Sequence, residues 1–328
     1  MNRRRKLLIV FAAGALATPL FAQTQKRIWR IGYLAGGVRP PSLTTSNYGG
    51  FPQGMRELGY VEERDFVMEW RFADGENDRL APLAAELVRL KVDVIVCTST
   101  RAVAAAKQAT TTIPIVMATS FDPVGNGFVA SLARPGGNIT GQATGISGNY
   151  SKLLQLLMTV MPKLSRIATL AMPGNPGNAV RAKDIQVAAQ TAGVRVLPVE
   201  ARTLEEVERG FDLMTRQRCQ AFILSGDAFF MAHRHRIADL ALQHRILSCA
   251  QLQDYAAAGF LMSYGSSLFE ENKMSASYVH KILQGALPGD LPVQQPIKFE
   301  LVVNLKTAKA LGIKIPQSLT LLADKVIE

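Results

Sequence analysis

The sequence predicts an α/β protein of two successive lobes, each built on a parallel sheet. Short apolar runs alternate with amphipathic stretches from Arg30 onward, which is the pattern of βαβ units. The alternation breaks at a turn-rich connection, Arg134 to Gly141, and then starts again. The chain is also long enough for two cores. Removal of the first 22 of its 328 residues still leaves room for two domains of roughly 100 to 200 residues each.

Those first residues carry their own signal. Arg3, Arg4, Arg5 and Lys6 form a basic segment, Leu7 to Leu20 are almost wholly apolar, and Phe21-Ala22 suits cleavage. This order is that of a secretory signal peptide over residues 1–22. The apolar run is shorter than the roughly 20 residues a membrane-spanning helix needs. A mature protein in the periplasm is therefore expected. No cysteine lies at the cleavage point, which excludes a lipid anchor there.

In the first half, Ile31 to Leu34 reads as a strand, Tyr48 to Leu58 as a helix and Phe66 to Trp70 as a strand. Leu80, Leu83, Ala84, Leu87 and Leu90 recur at helical spacing, with Asn77 and Asp78 placed to cap that helix. Val92 to Cys97 is a buried strand, Ala102 to Ala109 a helix and Ile115 to Ala118 the next strand. The second half repeats the rhythm with strands over Arg166 to Ala171, Val194 to Val199, Ala221 to Leu224 and Ile246 to Ala250. Thr203 and Glu206 form a capping box ahead of a helix through Met214. Late in the chain, Phe260 to Ser263 reads as a strand and Leu268 to Gln284 as a helix ending at Gly285. A proline-rich connector follows, and Phe299 to Asn304 is strand-like. Segments that return this late cross between lobes, and several crossings make a hinged cleft.

Composition excludes some classes of function. The formal charge of +11 falls to +7 without the four basic leader residues, and the remaining Lys and Arg are scattered without interleaved aromatics. A nucleic-acid surface is not expected. Cys97, Cys219 and Cys249 are odd in number and lie in apolar surroundings, so buried free thiols are expected and no disulfide. The four histidines have no metal-ligand spacing, and no cofactor fingerprint is present. A nucleophile elbow and a His-Glu-x-x-His motif are also missing, so binding without turnover is favoured.

Ligands of parallel sheets bind beyond the carboxyl ends of the strands. The loop Thr98-Ser-Thr-Arg-Ala102 is the first place to look, because hydroxyls and free helix-start amides suit a carboxylate. Ser99 or Thr100 also suits a plain helix cap. Asp122 follows the next strand, while Asn175 and Asp227 occupy the equivalent loops of the second half. Each is either a turn former or a ligand contact. Tyr264 is expected to add an aromatic wall or a core ring. With Thr100 facing Asp227, the expected cleft is polarised for a zwitterion, its ammonium on Asp227.

Phe51 to Arg64, Asp78 to Val96, Ala105 to Val116, Asp122 to Gly125 and Ser131 to Gly141 resemble the substrate-binding proteins of ABC transporters that include tryptophan- and tyrosine-binding members. Leu291 to Gly312 and Ala323 to Glu328 carry the same likeness, which spans nearly the whole mature chain. The resemblance implies a type I periplasmic-binding-protein fold: two Rossmann-like lobes joined by three crossings. The expected lobes are residues 26–144 plus 260–292 and residues 145–259 plus 293–328. It implies a monomer that takes a small molecule and delivers it to a membrane permease. An exported enzyme or a sensor for a membrane kinase on the same scaffold are the competing functions. The family's loop after the third strand usually reads Gly-Thr-Pro-Ala-Ala. Here Ser99 to Val103 stands in its place, so Thr100 carries over and Arg101 replaces proline. A guanidinium there suits a second carboxylate, or solvent.

Overall fold

The computed structural model describes residues 27–143, 149–175, 177–296 and 298–328. The signal peptide expected at 1–22 lies outside them. The first sheet contains β1 (Trp29–Ala35), β2 (Phe66–Phe72), β3 (Val94–Cys97), β4 (Ile115–Met117) and β5 (Ile139–Gly141). Its order is β2-β1-β3-β4-β5 and every pair is parallel. The helices α1 (Gly50–Glu57), α2 (Leu80–Arg89) and α3 (Thr100–Ala109) connect these strands. Strand β5 sits inside the connection that the sequence reads only as turns. Its three residues are too few to show a period, yet all are buried against β4.

The second lobe begins with α4 (Asn149–Val160), β6 (Arg166–Ala171), α5 (Asn178–Ala192), β7 (Arg195–Glu200), α6 (Leu204–Arg216) and β8 (Ala221–Leu224). It continues with α7 (Ala228–Ala232), α8 (Arg234–Gln243), β9 (Leu247–Ala250), α9 (Gln253–Ala257) and β10 (Met262–Gly265). Next comes α10 (Leu268–Leu283), then β11 (Glu300–Asn304), α11 (Leu305–Leu311), α12 (Gln317–Leu322) and β12 (Lys325–Ile327). The seven strands run β12-β11-β10-β9-β8-β6-β7, with only the β10–β11 pair antiparallel. The box at α6 is skewed: Thr203 Oγ1 accepts from Glu206 N at 3.2 Å, but the Glu206 carboxylate reaches back to Arg202 N.

The lobe boundary differs from the expected one at residue 260. Strand β10 hydrogen-bonds to β9 and β11 in the second sheet, so the chain returns to the first lobe only after Gly265. Helix α10 then packs Ala276, Val279 and Leu283 into the same core as Ile31, Phe51 and Met55. The connector stays with the first lobe through Gln294, whose amide donates to Gly141 O and whose carbonyl accepts from Ala143 N. Two crossing segments therefore lie hydrogen-bonded side by side, which is a compact hinge.

Helices α1 and α10 meet through glycine. A Cβ on Gly50 would lie 2.2 Å from the Phe269 carbonyl oxygen, and one on Gly54 would lie 2.5 Å from that of Lys273. Both obstacles are backbone, so the helices would have to separate. Gly50→Ala is expected to cost about 2 kcal/mol despite alanine's better helix propensity. A denaturation midpoint equal to the parent's would show that this packing tolerates the methyl group.

All three cysteines are free and buried. Burial pushes the thiols of Cys97 and Cys249 well up, so neither is a nucleophile at neutral pH. Among the described residues no helix is long and apolar enough to cross a membrane.

Candidate functional site

The carboxyl ends of both sheets face one cavity of ≈160 Å³ between the lobes. Loops after β1, β3 and β4 line it from one side, loops after β6, β8 and β9 from the other, and the start of α10 closes the hinge end. Parallel sheets place their ligands here because every strand-to-helix loop opens on that edge.

Ser99 caps α3, its Oγ accepting from Ala102 N at 3.1 Å. Thr100 begins the helix and is buried; its Oγ1 accepts from Phe121 N at 3.0 Å and ties the loop after β4 to α3. Its hydroxyl hydrogen is still available as a donor. Both residues line the cavity.

Arg101 crosses the cleft. Its Nη2 donates to the Pro173 carbonyl at 2.9 Å, and its Nε lies 3.4 Å from Asp227 Oδ2. The Asp227 side chain is only 2 % exposed. It caps α7 through Phe229 N at 3.1 Å and accepts from Asn175 Nδ2 at 2.8 Å and Asn77 Nδ2 at 3.3 Å. Asp227, expected as the ammonium partner, lines the cavity and already has these partners. Its charge is matched by a guanidinium from the opposite lobe, and both oxygens are engaged. Asn77, expected as a helix cap, serves this contact instead, and α2 has no side-chain cap.

Asn175 is both turn former and positioner. Its Oδ1 accepts from Gly177 N at 3.0 Å and from Arg181 Nη1 at 3.1 Å. Asp122 lies outside the cavity lining. It sits at φ 40° and accepts from Gly125 N at 2.9 Å, a turn-forming role. Tyr264 also lies outside. Its ring stacks on Phe299 at 5.7 Å and packs against the second lobe's core. Alternation along β10 explains this, because adjacent side chains leave a strand on opposite faces.

Two ionisable residues that line the cavity were not among the sequence candidates. Arg181, on α5, is 5 % exposed, and its guanidinium lies 4.3 Å over the ring of Phe121. Its Nε is buried without a hydrogen-bond partner, and among the described residues no carboxylate stands within 4.0 Å of it. Glu271, on α10, is 4 % exposed. Its Oε1 accepts from the Ser266 hydroxyl, the Thr119 hydroxyl also bonds the carboxyl group, and Oε2 is buried without a partner in hydrogen-bond geometry. Burial pushes this carboxyl up to about 7, against the lowering effect of the two hydroxyls. Their sequence signals were faint. Arg181 follows the Pro-Gly-Asn-Pro loop by one turn, and Glu271 is one of two adjacent acids after a capping serine.

The lobes touch across this cavity. Besides Arg101 and Asn77, Asn47 Nδ2 donates to both oxygens of Asp254 at 3.0 and 3.1 Å, and Phe121 is buried in the second lobe's core. The two lobes are thus in direct contact around the cavity.

A family model described as ABC transporter substrate binding protein matches residues 37–327. A tyrosine-binding protein of Clostridioides difficile (strain R20291) is 24 % identical over 277 residues, covering 84 % of this chain and 79 % of its own. Among solved structures, an ABC domain from Streptococcus pneumonia in complex with L-Trp superposes with a TM-score of 0.85 at 24 % identity. That match covers 92 % of this chain and all of the other. A ligand-free, open substrate-binding protein from Clostridium difficile gives 0.66 at 23 % identity, over 92 % of this chain and 99 % of its own. On the match that spans nearly its whole length, this chain belongs to the ABC transporter substrate-binding protein family.

Proposed function

We propose that the protein is the periplasmic receptor of an ABC importer, which closes its lobes on a small amino-acid-like carboxylate and hands it to a membrane permease. Arg181 carries this reading. A guanidinium removed from water with no counter-ion among the described residues is costly, and a ligand carboxylate repays that cost through charge-assisted bonds. Thr100 and the first amides of α3 lie on the same cavity and add donors for the same anion. Tyr48, Leu224, Met231, Leu252 and Leu268 add apolar surface to the lining. This suits the side chain of an apolar amino acid.

Two further observations support ligand-driven closure. The lobes are joined by contacts from Asn47, Asn77 and Arg101. The superposition is also better on the tryptophan complex than on the open, ligand-free relative at nearly equal identity and coverage. The amino-acid ligands named for these relatives agree with the charge of the cavity.

The test is the identity of small molecules retained when the protein is purified natively from the periplasm. Mass spectrometry is expected to find an amino acid or a related carboxylate at near-equimolar amount, and deletion of the gene should slow uptake of that compound. A retained neutral sugar, with no carboxylate bound in competition, would overturn the reading.

A further inference from the structure

Asp227 is the residue whose loop position best suits an ammonium group, and it is engaged by Arg101, Asn77, Asn175 and the α7 amide. The cavity holds one other carboxyl group, that of Glu271. Here we propose that Glu271 is the acceptor for the ligand's α-amino group, while Arg181 takes the ligand's carboxylate. This assignment rests on reading the cleft as a carboxylate-binding site.

The geometry brings these two groups to one short segment. Thr119 bonds the Glu271 carboxyl group, and Phe121 lies beneath the Arg181 guanidinium. Two residues of extended chain span at most about 7 Å. An α-amino acid places its carboxylate and ammonium on one carbon, so a pair of opposite charges bracketing a segment of that length matches it. Glu271 Oε2 is buried and has no partner in hydrogen-bond geometry, so it is an acceptor with one position to fill. An unmet buried acceptor is costly.

The remaining ionisable groups on the cavity are Tyr48, Arg101, Arg181, Asp227 and Tyr255. On its own helix, Glu270 is exposed and Lys273 pairs with Glu57 of α1 at 2.9 Å, so neither serves Glu271. From the elements packed against it, Ser266 and Thr119 contribute hydroxyls, and Gln142 donates to its backbone carbonyl at 2.7 Å. None of these brings a cation. The ligand's ammonium is the missing partner.

The experiment uses the mature protein and Glu271→Gln, each exposed to two panels. One contains the natural L-amino acids; the other contains their deamino analogues, in which hydrogen replaces the ammonium. Retained compounds are measured by mass spectrometry, and the best pair by calorimetry. The wild type is expected to prefer the amino acid by about 30-fold, and Glu271→Gln to lose that preference while holding the deamino acid as before. Burial holds the free carboxyl near pH 7, and the ionised form binds the ammonium. Wild-type affinity for the amino acid should therefore fall as pH drops from about 8 to about 5.5, and that of Glu271→Gln should not.

Equal retention of both members of a pair by the wild type would overturn the assignment and leave the carboxylate reading intact. A preference that survives Glu271→Gln would overturn it as well, as would parallel loss of both ligands, which marks a structural role. Retention of neither panel would overturn the carboxylate reading itself, and this assignment with it.

Discussion

Arg181→Met should weaken binding of the retained carboxylate ligand about 100-fold while raising the thermal midpoint of the unliganded protein. The first effect follows from losing charge-assisted bonds worth about 3 kcal/mol. The second follows because Arg181 is buried over Phe121 with no carboxylate partner among the described residues, and an apolar side chain of similar length avoids that desolvation cost. Asn175 Oδ1, which the guanidinium leaves behind, still accepts from Gly177 N. Arg181→Lys keeps the charge but loses the planar fork, so an intermediate loss of about tenfold is expected. Calorimetry and thermal melting measure the two signs separately. A lowered midpoint with unchanged affinity would make Arg181 a structural residue.

Arg101→Ala should open the cleft. The side chain joins the lobes through Pro173 and Asp227, and its removal leaves a carboxylate that is 2 % exposed without its cation. Breaking a buried pair costs about 3–5 kcal/mol, but Arg101 is 23 % exposed, so solvent screening reduces this to about 1–2 kcal/mol. The closed fraction should then fall about tenfold, and apparent affinity with it, because the closed state is the one that encloses ligand. Small-angle scattering should show a larger radius for unliganded Arg101→Ala than for the parent. Asp227→Ala should act in the same direction, since it also loses the cap on α7. The double variant should cost less than the sum of the two, as expected for partners in one contact. Additive costs, or an unchanged radius, would show that the pair does not hold the lobes together.

Arg101 stands where the resembling family usually has proline, a residue that cannot reach the opposite lobe. The exchange gives this chain a ligand-independent contact across the cleft, with the same aspartate that a zwitterion would otherwise use. Asp227 is therefore engaged by Arg101 across the cleft, and under the proposed assignment Arg181 and Glu271 take the ligand.

Most strands and the helices between them were legible in the sequence because their signals are local. Leu80, Ala84 and Leu87 recur at helical spacing and bury one face of α2, as that spacing requires. Val94 to Cys97 is an unbroken apolar run and forms a strand buried throughout. Ser99, Thr100, Arg101, Asn175 and Asp227, singled out by their loop positions in the sequence, all line the cavity between the lobes. Strand β5 was hidden by its length and by the turn residues around it. Of the two readings left open for Tyr264, the structure shows the core ring: Gly265 lines the cavity, while the ring beside it stacks on Phe299.

By itself, the sequence determined the two-lobed α/β scaffold and which loops lie at the carboxyl ends of the strands, because hydrophobic period and turn chemistry act between near neighbours. Only the tertiary structure decided which charges are free. Arg101 and Asp227 are 126 positions apart in the chain, and Thr119 and Glu271 are 152 apart. Whether a buried carboxylate awaits a ligand or already holds a guanidinium depends on what the opposite lobe brings within about 4 Å. No local pattern encodes that distance.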